Sequence, residues 1–163
     1  MFYLPLAALT WVSTTWMLNL SQLPGLLLYG LAGAALASIQ DRLMLIYPLW
    51  EYRDTGLIDS HLEISFLISM SAAPIFAMRF AQGLKPGGRL PWGRVTRYTV
   101  VSMLPELVAV RSGHIHYHNW WNIGWSCLAY LPIWTVIWLI HRWVTLSRPP
   151  SAPIEQEQTA PGS

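Results

Sequence analysis

From Met1 to Gln40 the chain carries no charged side chain. A bilayer crossing takes about 20 apolar residues, so this stretch has room for two helical spans. The rest of the sequence agrees: 53% of residues are apolar and 11% charged, against about 25% charged in an average soluble domain. In water such a fold would expose large apolar patches; lipid is the solvent that removes the problem. Ten tryptophans suit the membrane–water interfaces where Trp concentrates. The expected fold class is all-α, a polytopic transmembrane helix bundle of about five spans over residues 1–143, with a disordered cytoplasmic tail over 144–163. The N-terminus has no basic region, and its apolar stretch overshoots signal-peptide length, so a cleaved leader is not expected.

The first span is read as Met1–Leu20. Ser21-Gln22-Leu23-Pro24-Gly25 is a break rich in turn residues. A second apolar segment covers Leu26–Gln40 and runs on towards Ile46, and a third covers Leu62–Phe80, with Pro74 inside it. Gly30, Gly33, Ala34 and Ala37 on one segment, and Ser69, Ala73 and Ala77 on the other, are small-residue stripes that allow helix backbones to approach closely in lipid. A short fourth segment, Tyr98–Val110, holds Pro105 and Glu106. The fifth, Trp120–Trp143, is charge-free from Ile123 to Ile140 and flanked by tryptophans.

The +2 net charge gives no case for a nucleic-acid partner; the placement of charge says more. Five of eight carboxylates fall between Asp41 and Glu63, and five of ten basic residues between Arg79 and Arg97. With five spans, Arg79, Lys85, Arg89, Arg94, Arg97, Arg142 and Arg148 share one face. Arg42, Arg53 and Arg111 share the other. The richer face is expected to be cytoplasmic, with the N-terminus outside. The single cysteine, Cys127, excludes an internal disulfide.

Glu106 stands in an otherwise apolar run. A carboxylate at membrane depth is costly, so it is expected to face the bundle interior and to have a partner, with Tyr117 or Asn119 accepting its proton in a hydrogen bond. His114, His116 and His118 alternate; on a strand all three would share a face, but no carboxylate or cysteine stands at a ligand spacing beside them, and no metal or cofactor is assigned. Tyr47–Asp54 mixes aromatics with both charge signs. It reads either as an interfacial anchor or as one wall of a polar outer pocket. No phosphate-binding glycine loop, GxSxG, HExxH or CxxC motif is present.

Asp41, then Tyr47, Trp50 and Glu51, then Glu106, then Gly113, Ile115, Tyr117, Asn119, Trp121, Asn122 and Ser126 together resemble a pattern in small polytopic membrane proteins of unknown function from endospore-forming bacteria. The likeness covers about residues 25–143. It departs at Trp120, where the pattern has Gly, and the three histidines fall on its variable positions. It implies a multi-pass protein of a bacterial plasma membrane and carries no activity with it. On these grounds the expected ligand-binding residues are Asp41, Trp50, Glu51, Glu106, Tyr117, Asn119 and Trp121. The expected role is a non-enzymatic membrane component with a polar pocket near the outer face. Its expected partners are the lipid bilayer and a small ligand, a membrane protein or a second copy. The alternatives are a membrane-embedded enzyme with Glu106 as acid/base on a lipid-like substrate, and a small oligomeric proton-coupled transporter.

Overall fold

The computed structural model describes residues 18–53 and 61–147, with a few isolated positions before residue 18. Most of the expected first span, the 54–60 stretch, the Glu63 side chain and residues 148–163 of the expected tail lie outside the described residues; the tail's first residues, 144–146, are instead the end of the last helix. Those described form four α-helices and one two-stranded ribbon: α1 (Leu23–Ile46), β1 (Trp50–Tyr52), α2 (His61–Gln82), α3 (Trp92–Arg111), β2 (Ile115–Tyr117) and α4 (Ile123–Leu146). The fold is all-α apart from that ribbon. Among the described residues, α1 and α4 are long and apolar enough to cross a membrane, by length and composition.

Local chemistry sets the boundaries. The expected break before α1 is a 3-10 turn, Leu20–Gln22. The helix then starts at Leu23, earlier than expected, because Pro24 sits in its first turn, where no N–H partner is required. Asn122 has extended backbone, and its side chain accepts hydrogen bonds from the N–H groups of Gly124 and Trp125. This N-cap starts α4 at Ile123 and leaves Trp120 and Trp121 in the preceding turn. The fourth segment is longer than expected: α3 begins at Trp92 and takes Arg94 and Arg97 into its first turns.

The two small-residue stripes meet. A Cβ added at Gly33 would lie 2.5 Å from the Ala77 Cβ and 2.8 Å from the Ala73 carbonyl oxygen, and one at Gly30 would lie 3.2 Å from Met78. Asp41 accepts a hydrogen bond from Ser69 at 3.0 Å. Positions that rise along α1 therefore meet positions that fall along α2, which makes the pair antiparallel. Tyr29 on α1 meets His141 on α4, hydroxyl to Nδ1 at 3.1 Å. The core between the helices gathers Phe80, Ile75, Val95, Trp134 and Ile137.

Besides its apolar core, the bundle buries polar side chains and leaves large apolar ones exposed. Leu27, Leu31 and Ile39 of α1, Val100, Leu104 and Val108 of α3, and Leu128, Leu139 and Leu146 of α4 face outward and exposed, whereas Asp41, Ser69, Ser71, Thr99 and Ser126 are buried.

At one end of the bundle, β1 and β2 pair antiparallel, Trp50 opposite Tyr117, Glu51 opposite His116 and Tyr52 opposite Ile115. The Arg53 N–H to His114 carbonyl bond and the His118 N–H to Leu49 carbonyl bond, both 2.7 Å, extend the pairing. The loops after α1 and after α3 are thereby stitched together.

Candidate functional site

Strand alternation divides the ribbon into two faces. Trp50, Tyr52, Ile115 and Tyr117 face the helices. Glu51 and His116 face away, and Glu51 pairs there with Arg53 and, at 3.3 Å, with His118 Nε2. The His116 and His118 rings lie 5.7 Å apart, so the alternating histidines belong to the outer surface. The Arg53 hydrogen bond, aided by the Arg53 charge and by contact with His118, holds the Glu51 carboxyl below the ordinary carboxylate range. Among the described residues, no three His, Cys, Asp or Glu side chains converge on one point.

Beneath the inner face lies a cavity of about 160 Å³, walled by all four helices and roofed by Trp50, Tyr52 and Ile115. Two carboxylates line it, Asp41 from α1 and Glu106 from α3. Each is held by a tyrosine of the ribbon. Tyr52 donates to Asp41 Oδ1 at 3.3 Å, and Ser69 donates to its other oxygen. Tyr117 donates to Glu106 Oε1 at 2.6 Å. Tyr130, two turns into the α4 wall, interacts with Glu106 as well. Burial pushes the Tyr52 hydroxyl well above the ordinary tyrosine range, and the nearby Asp41 charge adds to this. Tyr117 is raised by burial first and then by its bond to Glu106. Both hydroxyls are thus kept as donors to the carboxylates.

The network continues outward. Trp121 donates its indole N–H to Ser126 Oγ at 3.0 Å, Ser126 interacts in turn with Tyr117, and the Trp121 ring packs 5.5 Å from that of Trp50. Trp134, on the far wall of the cavity, buries an indole N–H with no hydrogen-bond partner among the described residues.

Of the seven expected ligand-binding residues, Asp41, Trp50 and Glu106 line the cavity. Tyr117 and Trp121 stand directly behind them. Two expectations are corrected. Glu51 is on the opposite face of the ribbon because it alternates with Trp50 and Tyr52. Asn119 is a turn residue: its φ is 57°, a left-handed conformation that Asn tolerates, and its side chain donates to the Pro48 carbonyl at 3.2 Å. The direction of the Glu106 bond is also the reverse of that expected, since Tyr117 donates to the carboxylate. Tyr52, Ser69, Ser126 and Tyr130 join the site beyond the seven expected residues, Tyr52 as part of the Tyr47–Asp54 segment read as one wall of a polar pocket. Tyr52 had a signal in its i+2 relation to Trp50, and Tyr130 in its hydroxyl within an apolar span.

Comparison with family models, with curated proteins and with solved structures returns no match.

Proposed function

We propose that the chain is a multi-pass protein of a bacterial plasma membrane, with about five spans and its C-terminus in the cytoplasm. It acts there as a non-enzymatic component whose cavity beneath the ribbon binds a small ligand. The observation that carries the reading is one cavity lined by both Asp41 and Glu106. Ionisable groups within a membrane bundle are expensive, and they mark functional sites when they face a cavity. The outward apolar side chains of α1, α3 and α4, with the inward serines, support lipid surroundings for these helices. Short connections between antiparallel helices put Arg79, Lys85, Arg89, Arg94, Arg97 and Arg142 at the end away from the ribbon, as the positive-inside rule requires of a cytoplasmic face.

The experiment is purification of the full chain in mild detergent, followed by mass spectrometry of what stays bound. Ser102 lines the cavity, and Ser102→Phe fills part of it. A small molecule retained by the wild type and lost from Ser102→Phe is the expected result. Identical bound material in both would sink the reading. Recovery of the protein in a carbonate wash supernatant would remove its membrane premise. The second reading, acid/base chemistry by Glu106, has one observation in its favour: a second carboxylate, Asp41, in the same cavity. On that reading Glu106→Gln abolishes turnover of the retained molecule; on the first it changes affinity alone.

A further inference from the structure

Resting on the reading of this cavity as a ligand site, we propose that it takes a small organic cation, an ammonium group carrying short alkyl substituents. The first observation is the sign of the lining. Its ionisable side chains are Asp41, Glu106, Tyr52 and Tyr130, all acids, and among the described residues no Lys, Arg or His lines it. Arg42 and Arg111, the bases closest in sequence to the two carboxylates, are exposed and stand outside it. Arg53 and His118 are spent on Glu51 across the ribbon, and Arg94 is turned to the carbonyls of Arg79 and Phe80 at the far end of α2. The described partners of Glu106 are hydroxyls. A carboxylate has about four lone-pair sites, so one or two hydroxyl donors leave room for a ligand's positive charge. An anion entering the same space would meet like charge.

The second observation is the wall. Phe76, Trp50, Tyr52, Tyr130 and Trp134 present rings to the cavity, and most of the remaining lining is Ala, Ile, Gly and Pro. Aromatic faces attract cations, and cages of them recognise methylated ammonium groups. The same wall disfavours metal ions such as Ca²⁺ or Mg²⁺, which require six or more oxygen ligands or retained water. Size is the third observation. The cavity of about 160 Å³ is close to the roughly 150 Å³ at which an engineered cavity accepts benzene. A trimethylammonium group with one or two further carbons is of that bulk.

The charge and the shape of such a ligand can be separated with the full chain in detergent. Choline and 3,3-dimethylbutan-1-ol have the same shape, and only choline is charged. Calorimetric titration should show choline binding at least tenfold more tightly than the alcohol. Glu106→Gln should erase that preference, and Ser102→Phe should erase binding of both. If the ammonium group belongs to a lipid, native mass spectrometry from mixed micelles should show phosphatidylcholine retained over phosphatidylglycerol, and lost in Ser102→Phe. Equal affinity for choline and the alcohol, blocked by Ser102→Phe, overturns the cation assignment and leaves the cavity reading standing. No binding of choline, alcohol or phosphatidylcholine overturns both. Should Glu106→Gln fail to fold, the choline-to-alcohol ratio on the wild type decides alone.

Discussion

Gly33 is the position at which the packing of α1 on α2 admits least change. A methyl group there would meet the Ala77 Cβ at 2.5 Å and the Ala73 carbonyl oxygen at 2.8 Å. Carbon atoms pack at about 3.5–4.0 Å, so the helices must separate locally by about 1 Å or more. The backbone carbonyl cannot rotate aside as a side chain would. Overpacking of this kind costs about 1–3 kcal/mol, and the opening would also widen the cavity that Gly33 and Ala77 both line. Gly33→Ala should therefore lower stability in detergent by about 1–3 kcal/mol. Gly25→Ala is the control, because among the described residues nothing lies within 4 Å of its added Cβ, and alanine is the better helix former. In an Ala77→Gly background the Cβ clash disappears and the carbonyl clash remains, so the penalty should shrink without vanishing. The assay is thermal unfolding of the four variants, read as a double-mutant cycle for the Gly33–Ala77 pair. Equal melting of Gly33→Ala and Gly25→Ala, or additive effects of Gly33→Ala and Ala77→Gly, would refute the close approach.

Asn119→Ala should cost about 1 kcal/mol or more through its left-handed backbone, while Asn119→Gly should be nearly silent; equal losses on thermal unfolding would locate the residue's importance in its side chain instead. Tyr52 and Tyr117 have folded pKa values raised above the ordinary tyrosine range, so their proton-linked stability is full at neutral pH and is lost as pH climbs above that range. Wild type should thus weaken more steeply than the Tyr52→Phe, Tyr117→Phe double variant above about pH 10, and parallel stability–pH curves would contradict the burial of these hydroxyls.

Much of the helical frame is written locally. The stripes Gly30–Ala37 and Ser69–Ala77 announce a close pair because small residues at i, i+4 spacing have few other uses in lipid. Glu106 announces its inward orientation by the cost of any other. The ribbon has no such signature. Each strand is three residues long, too short for periodicity to register, and the partners are separated by a hydrophobic hairpin. Without that pairing the alternation of Trp50, Glu51 and Tyr52 is invisible, and Glu51 competes with Asp41 for the pocket. The same blindness hides Tyr52 as the roof hydroxyl over Asp41. Asn119 resembles a ligand residue for another reason: a polar side chain kept for its backbone conformation looks the same in sequence as one kept for binding.

Because its roof joins Trp50–Tyr52 to Ile115–Tyr117, the cavity is a late product of biosynthesis. A chain emerging as far as α2 already holds Asp41 and Ser69 together, but its roof strand has no partner. The α3 segment brings Glu106 without the tyrosine that holds it, and Tyr130 arrives only with α4. Membrane helices insert first and associate afterwards, and the ladder can zip only when both hairpins stand side by side. A chain cut before residue 117 therefore lacks the strand that pairs with Trp50–Tyr52, and on the proposed reading zipping of the ribbon is the step that completes the ligand site.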